Sequence, residues 1–498
     1  MKKKIILGFK IFIIISMALM SFLLMRSIIK LDLLPTRYIT LLSAIIICVN
    51  LLGIIGILLR KWFTHIISAI SYIAIGIITF IGVNVGNSAN NFLENAFDNY
   101  KKEVTTYYVK VRSGDGVKKV EDLSGKEVVY FTFYNDTDKQ LEEVKKVIEN
   151  PVFIPHDDLY DTFVNFLTGK YDAIIIEDGY LDVLGEDYKN LDTRLRTLYT
   201  FEIESLVEKT NEEKQDDVLA SDDEVKQDNP KRYEPINKGE SINIYISGSD
   251  SRSNRVYSKT RSDVNMIISI NPKTKTMLLT SIPRDYYVQV HGQTGLKDKL
   301  THAGIYGLDR SRQTLEDFFE IEIDYSIKVG FNAVVEVVDL VGGIEVYSDT
   351  EFKSFHQKGW VVKKGMNKMD GKKALAYARE RYAYASGDRH RIKNQQQVLE
   401  ATLTKILSDK SILLKYDQLL TSLSKLYITD IPRNVISKYV KMQLDDMATW
   451  KFISQSVDGK GSMEHTYTAP KSNRYVMIPN YDTVDKARAE MKKVLEAK

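Results

Sequence analysis

The sequence predicts an α/β protein held at a membrane: three N-terminal transmembrane helices, a small α/β domain, then a larger α/β/α domain whose central sheet, mostly antiparallel or mixed, is covered by helices. Three observations predict it. Apolar residues crowd into the first 85 positions, an acidic stretch with almost nothing apolar interrupts the chain near 208–240, and on both sides of that stretch short apolar runs alternate with segments of helical period. At 498 residues the chain is also too long for one ordinary core.

The membrane part comes first. Residues 38–59 run without a charge for about the length that spans a ~30 Å hydrocarbon layer as a helix, and 66–85 form a second clean run. The run 5–25 is interrupted by Lys10, which can snorkel to the head groups. A cleaved signal peptide also opens with basic residues and an apolar run, but no small-x-small site ends this one and two further spans follow. Residues 1–90 are therefore expected to form an anchor of three helices. Lys2, Lys3, Lys4, Arg60 and Lys61 then face the cytoplasm, Arg26, Lys30 and Arg37 face outward, and everything beyond about 90 lies outside the cell.

Residues 100–207 alternate strand-like runs at 128–133 and 171–176 with helical patterns at 138–148 and 160–167, which predicts a small α/β accessory domain. The stretch GKYDAIIIEDGYLDVL resembles the part of solute-binding-protein-like domains where a strand emerges beside a ligand cleft; a spacer or docking domain without a ligand fits equally. Residues 208–229 carry nine acidic and three basic side chains, too little apolar surface to fold, so 208–240 reads as a linker.

The remaining domain, 241–498, opens with apolar strands at 242–247, 264–270 and 277–282, the last two joined by an Asn271-Pro272-Lys273-Thr274 turn. Alternation through Ile321, Ile323, Tyr325, Ile327 and Val329 marks a half-buried strand. A helix follows at 331–341 and ends at Gly342-Gly343; 344–347 returns to strand. Asp370 is the expected N-cap of a helix reaching Tyr382, and 391–407 is strongly helical, with Ile392, Leu399, Leu403 and Ile406 expected to pack inward. Residues 412–498 hold helix and strand patterns, among them 487–495, but no motif.

Charge is balanced globally and clustered locally. With 69 basic and 66 acidic side chains the formal charge is +3, which argues against a general nucleic-acid binder. The single cysteine, Cys48, lies inside an apolar run, so neither a disulfide framework nor a thiolate metal site is possible. Asp250 follows the first strand of the last domain and Asp263 precedes the second. Two carboxylates at neighbouring strand ends suit a hard cation such as Mg2+ (or Mn2+), although either aspartate alone also suits a turn or cap. Arg261, Arg284, Arg379, Arg381 and Arg391 surround them in sequence, with Gln395 four residues after Arg391 and so on the same helix face. Converging guanidinium forks suit a polyphosphate. The competing reading is a solvated helix face on which Glu380 and Asp388 neutralise their neighbours. Arg379 and Arg381, two apart, cannot face one point from a regular helix unless it ends there.

Five stretches, GSDSR, TRSDVNMIISINPKTKTMLLTSIPRD, DKLTHAGIYG, VGFNAVVEVVDLVGGIEV and ALAYARERY followed by GDRHRIKNQQQ, together resemble the LytR-CpsA-Psr family of Gram-positive envelope proteins. The resemblance covers about a third of the chain, and the anchor and extra domain look like the capsular branch. It implies a phosphotransferase at the plasma membrane moving a glycopolymer, capsular polysaccharide in that branch, from undecaprenyl pyrophosphate to peptidoglycan, with the lipid in an apolar tunnel under the sheet and capsule-assembly membrane proteins as partners. By the family's pattern Asp250 and Asp263 hold Mg2+, and Arg261, Arg284, Lys299, Arg379, Arg381, Arg391 and Gln395 surround the pyrophosphate. Arg389 and His390 stand where the family often has less charged residues, and Arg391 is the favoured ligand-facing arginine there. The alternatives are a wall teichoic acid ligase and a non-catalytic regulator that holds the lipid carrier. A transcription factor is excluded because the cytoplasmic segments are too short to read DNA.

Overall fold

The structure is a computed structural model that describes residues 2–31, 35–59, 66–80, 102–134, 136–188, 190–206, 240–249, 256–385 and 387–498. Its contacts divide the chain into two compact units. One holds Met1–Asp98 with Leu403–Ser424 and Ile431–Thr449; the other holds Asn99–Thr402 with Lys425–Asp430 and Trp450–Lys498. The expected 208–240 linker lies outside the described residues, Glu240 excepted.

In the first unit, α1 (Lys2–Leu31) and α2 (Thr36–Leu58) are long and apolar enough to cross a membrane, while α3 (Ile66–Phe80) is shorter. That makes two such helices among the described residues where three were expected, and 81–85, the rest of the expected third span, lie outside them. Lys10, expected to snorkel, has a partner on α2. Its ammonium donates to the Ile57 carbonyl near the end of α2, and Asn50 donates to Ser21 Oγ at 2.9 Å, so polar side chains join an antiparallel pair. Ser68 on α3 donates to Gly53 O at 2.8 Å. At the start of α2, Arg37 pairs with Asp445 at 3.1 Å and donates to Leu444 O at 2.6 Å.

The second unit holds two sheets. β1 (Lys102–Arg112), β2 (Glu127–Phe131), β3 (Val152–His156), β4 (Ala173–Glu177) and β5 (Leu195–Leu206) form the smaller one in the order β3-β2-β4-β1-β5. β2 runs parallel to both its neighbours and β1 antiparallel to both of its own. The helices Leu159–Leu167 and Asp178–Asp187 pack on this sheet through Phe163, Phe166, Val183 and Leu184.

The larger sheet comprises β6 (Ile242–Ser249), β7 (Val264–Asn271), β8 (Thr276–Ile282), β9 (Tyr325–Gly330), β10 (Tyr427–Thr429) and β11 (Lys451–Ser456), ordered β10-β9-β6-β7-β8-β11. It is mixed: β9/β6 and β8/β11 are parallel and the other pairs antiparallel. β7 and β8 are buried almost end to end, which is why both read as continuous apolar runs. Between them Asn271 Oδ1 accepts the N–H groups of Lys273 and Thr274 at 3.0 and 3.1 Å, closing the turn.

On one face of this sheet Tyr245, Ile267 and Leu278 pack against Leu315 and Phe319 of α4 (Leu308–Phe319) and against C-terminal Val484, Ala487 and Met491. These last belong to a helix, Tyr481–Glu496, longer than the expected 487–495. Further on, α5 (Phe331–Leu340) crosses α6 (Gly371–Arg379), and α7 (Asp388–Ser408) follows. Asp370 caps α6 by accepting the Lys373 N–H at 2.9 Å, but the helix stops at Arg379 rather than Tyr382. α7 also differs from expectation. Its buried residues are Asn394, Gln396, Val398 and Thr402, whereas Ile392, Leu399, Leu403 and Ile406 are only half-buried. The cause is the sheet beneath it, which offers acceptors: Gln396 Nε2 reaches Gln455 O at 2.7 Å, Ser281 Oγ at 3.0 Å and Leu279 O at 3.3 Å.

Candidate functional site

Asp263 sits where the β6/β7 ladder ends. Its N–H donates to Gly248 O at 2.8 Å, continuing the antiparallel pairing one residue before β7 begins. Two residues past the end of β8, Arg284 sends Nη1 back to Asp263 Oδ1 at 2.6 Å, and Arg261 Nη2 lies 4.0 Å from Asp263 Oδ2. The carboxylate is 9% exposed, so these charge-assisted contacts act in a partly dry site where they are stronger than in water.

The second half of the site comes from α6 and α7. After Arg379 the chain turns extended at Glu380 (φ −68°, ψ 126°). Glu380 is fully buried, and its carboxylate accepts the N–H groups of Phe355 at 2.8 Å and Tyr382 at 3.1 Å. It is not a solvated neighbour of the arginines; it holds the break. Because the helix ends there, Arg379 and Arg381 line one cavity. Arg379 lies 5.2 Å over the Phe331 ring, and His356 Nε2 donates to the Arg379 carbonyl at 3.0 Å. In the first turn of α7, Asp388 takes Arg391 Nη2 at 3.1 Å and has Arg381 Nη1 at 3.8 Å.

Two cavities adjoin these side chains. The first, about 240 Å³, is lined by Arg261, Arg284, Arg379, Arg381 and Arg391 with Phe331, His356, Tyr382 and Gln395, and Asp263 is the one acid among its described lining residues. The second, about 260 Å³, is lined by Asp285, Asp388, Arg389, Asp458 and Met477 together with the ends of β7 and β8. Asp263, Arg284, Arg391 and Gln395 line both. Burial pushes the Arg391 guanidinium below its ordinary pKa; Asp388 opposes this and Arg284 adds to it. Burial, then Arg379, lowers His356. Five guanidinium groups around so small a space repel one another, and an anion with several oxygens removes that cost.

Of the residues expected from sequence, Arg261, Asp263, Arg284, Arg379, Arg381, Arg391 and Gln395 meet at the first cavity. Asp250 lies outside the described residues. Lys299 does not line either cavity. Its ammonium stands 3.9 Å from Asp285, which in turn lies 3.8 Å from Arg284 Nε, so it is set behind the arginine rather than beside it. Of the two candidates in α7, Arg389 is 63% exposed and paired with Asp458 at 2.8 Å, while Arg391 is 15% exposed. Phe331, His356, Tyr382, Asp458 and Met477 were not anticipated; Phe331 comes from the start of α5, Tyr382 directly follows Arg381, and the others come from separate loops and strands that no spacing in the sequence marks. As to a metal, the Asp263 carboxylate at the junction of the cavities is a hard oxygen donor of the kind Mg2+ takes one or two of alongside phosphate oxygens, so the residue present fits such an ion.

Over 242 residues the chain is 35% identical to the polyisoprenyl-teichoic acid–peptidoglycan teichoic acid transferase TagU of Bacillus cereus, which covers 47% of this chain and 74% of that protein. It is 31% identical over 231 residues to the protein of the same name from Enterococcus faecalis, covering 46% and 74%. The crystal structure of B. subtilis TagV covers 52% of this chain and 98% of that chain, at 29% identity and a TM-score of 0.44. The LytR_cpsA_psr family matches residues 202–493, more than half of the chain, and the protein belongs to that family.

Proposed function

We propose that the protein is a phosphotransferase that moves a glycopolymer from a polyprenyl pyrophosphate, undecaprenyl pyrophosphate in particular, to peptidoglycan on the outer face of the membrane. The observation that carries this reading is the pair of cavities sharing Asp263, Arg284, Arg391 and Gln395. In-line transfer at phosphorus needs the attacking and leaving oxygens on opposite sides of one centre, with charge stabilisation between them. The arginine-lined cavity suits the pyrophosphate. The neighbouring cavity, with Asp388 and Asp458, suits the hydroxyls of an acceptor sugar. The oxygen of an acceptor hydroxyl forms a bond to the sugar-linked phosphorus and gives up its proton to water or the departing phosphate, as the bond from that phosphorus to the bridging oxygen breaks and the bridging oxygen leaves on the lipid monophosphate. Asp263 and Asp250 would hold Mg2+ (or Mn2+), which supplies further charge neutralisation at the phosphates.

The larger sheet offers the lipid tail a bed. Ile242, Ile244 and Ile246 of β6 and Ile327 and Val329 of β9 share one face of the larger sheet and are only half-buried, an apolar surface inside a sheet whose other face is packed. The names of the relatives favour a teichoic acid as the polymer. The capsular reading rests instead on the anchor and the 102–206 sheet, most of which precedes the family match at residue 202.

An outward placement is supported within the anchor unit. Arg37, at the end of the α1–α2 pair opposite Lys2, Lys3 and Lys4, holds Leu444 and Asp445, and Lys410 Nζ donates to Tyr38 OH at 2.5 Å. Those C-terminal segments therefore share a side with Arg37, the side opposite the basic N-terminus. A Lys460→Cys variant, at an exposed position, should label with a membrane-impermeant maleimide in intact cells; labelling only after lysis would reverse the topology.

The function is tested with the purified full chain, Mg2+, a polyprenyl-diphosphate glycan and a peptidoglycan acceptor. Asp263→Ala should lose at least about a hundredfold in transfer rate, since it removes both the metal donor and the partner of Arg284. Undiminished turnover by that variant would sink the assignment. In cells, a strain carrying Arg391→Ala should release the polymer unlinked from the wall; a regulator that only holds the carrier would change polymer amount and leave linkage intact.

A further inference from the structure

The segment 256–263 delivers Arg261 and Asp263 to the cavity, and it is held from two sides. From the larger sheet, fully buried Lys328 on β9 donates from Nζ to Ser258 O and to Thr260 O, each at 2.7 Å. From the smaller domain come contacts to Tyr257 and Lys259. Tyr257 OH donates to Glu202 Oε1 of β5 at 3.3 Å, and Gly179, in the first turn of the Asp178–Asp187 helix, lies so close that a Cβ added there would stand 3.2 Å from Lys259 O and 3.3 Å from Ile305 Cγ2. Neighbouring residues of one short segment thus meet different domains: 257 and 259 the smaller, 258 and 260 the larger. A second contact region fastens the two parts together elsewhere: Arg474 pairs with Asp187 at 3.3 Å and lies 4.3 Å over the Tyr160 ring.

We propose that the 102–206 domain is a positioning element for the catalytic segment: by closing on Tyr257 and Lys259 it fixes the approach of Arg261 and Asp263 to the substrate pyrophosphate, so whatever loosens its docking loosens the anion grip. What the segment grips rests on the transfer reading; how it is held does not. A spacer would touch the larger domain anywhere; this domain touches it within two residues of a ligand-facing arginine. Within the larger domain the segment is held at the carbonyls of Ser258 and Thr260 by Lys328 and at the amides of Val256, Ser262 and Asp263 by Lys425, Thr301 and Gly248; Tyr257 and Lys259 are where the smaller domain adds to that hold.

The test uses the full chain in detergent and reads amide hydrogen exchange and transfer kinetics together. Local reporters exist: the Val256, Ser262 and Asp263 amides donate to Lys425 O, Thr301 O and Gly248 O. Gly179→Leu, which forces a side chain against Lys259, and Arg474→Glu, which acts at the distant contact, should each raise exchange across 256–263 by about tenfold while 173–176 stay protected. KM for the polyprenyl-diphosphate donor should rise about fivefold with kcat less affected, a split that loss of folded protein alone would not give. Gly179→Ala should show the same changes at smaller amplitude. Unchanged protection across 256–263 in both Gly179→Leu and Arg474→Glu would overturn the proposal, whether or not the wild-type chain transfers a glycopolymer. So would unchanged protection there in a variant whose 173–176 amides had lost theirs. An inactive wild type in which the segment still loosens on substitution would leave the clamp standing and remove only the transfer reading.

Discussion

Arg284→Ala is expected to lower kcat/KM for glycopolymer transfer by about 10³-fold, the scale of an arginine that meets developing charge on a transferring phosphoryl group. Two roles combine in this residue. It lines both cavities, and it is bound at 2.6 Å to the Asp263 carboxylate. Removing it strips a charge from the pyrophosphate and leaves Asp263, 9% exposed, without its nearest cation, a change that costs roughly 3–5 kcal/mol in buried pairs. Arg284→Lys should restore less than a tenth of the lost rate, since an ammonium cannot bridge a phosphate and a carboxylate as a planar fork does. Thermal unfolding measured beside the kinetics separates the two roles. A loss of activity under about fivefold in the alanine variant would remove Arg284 from the reacting centre.

Gly371→Ala should be the most destabilising single methyl addition in the second unit. The first residue of α6 lies against α5 so tightly that an added Cβ would overlap the Val335 carbonyl and come within 2.6 Å of Val335 Cα, and its N–H donates to Asp339 Oδ1 at 2.7 Å. Backbone cannot give way as a side chain can, so the helices must separate, at an expected ~3 kcal/mol or more. The melting midpoint of the unit should fall by about 10 °C. Gly114→Ala, where nothing lies within 4 Å, should stay within about 1 °C and serves as the control. Because α6 ends in Arg379, the Gly371 variant should also weaken inorganic pyrophosphate binding in proportion to its loss of fold. Equal midpoints for the two variants would show that α5 and α6 are not held at this contact.

The sequence made some of this legible for definite reasons. β7 and β8 are buried on both faces and so read as apolar runs, and the turn between them is written in Asn271. Asp263 and Arg284 were expected together because strand ends carry sites, Arg391 and Gln395 because four residues make one face of a helix, and all four line both cavities. Other features depend on tertiary partners. The break after Arg379 is made by Glu380 finding two buried N–H groups, and a glutamate between two arginines looks from sequence like a surface charge. α7 was misjudged because apolar periodicity marks the packed side only when the opposing surface is apolar; here it offers carbonyls and a serine hydroxyl. Lys299, expected with the arginines from the family pattern, lines neither cavity; a pattern along the chain does not fix the side to which a residue points in a two-residue strand. Composition alone sees a third apolar run but not the length of helix it makes.

The amide contacts under α7 have a consequence for precision. Apolar side chains tolerate rotation and sliding, since a shifted contact is nearly as good as the original. Gln396 has no such tolerance: its one NH2 group meets three acceptors from two strands, and a turn of the helix by one residue, roughly 100°, would lose them all. The helix is therefore keyed like a shaft in its slot. Arg391, five residues upstream, inherits that fixed azimuth, so its guanidinium meets an incoming phosphate from one bearing only.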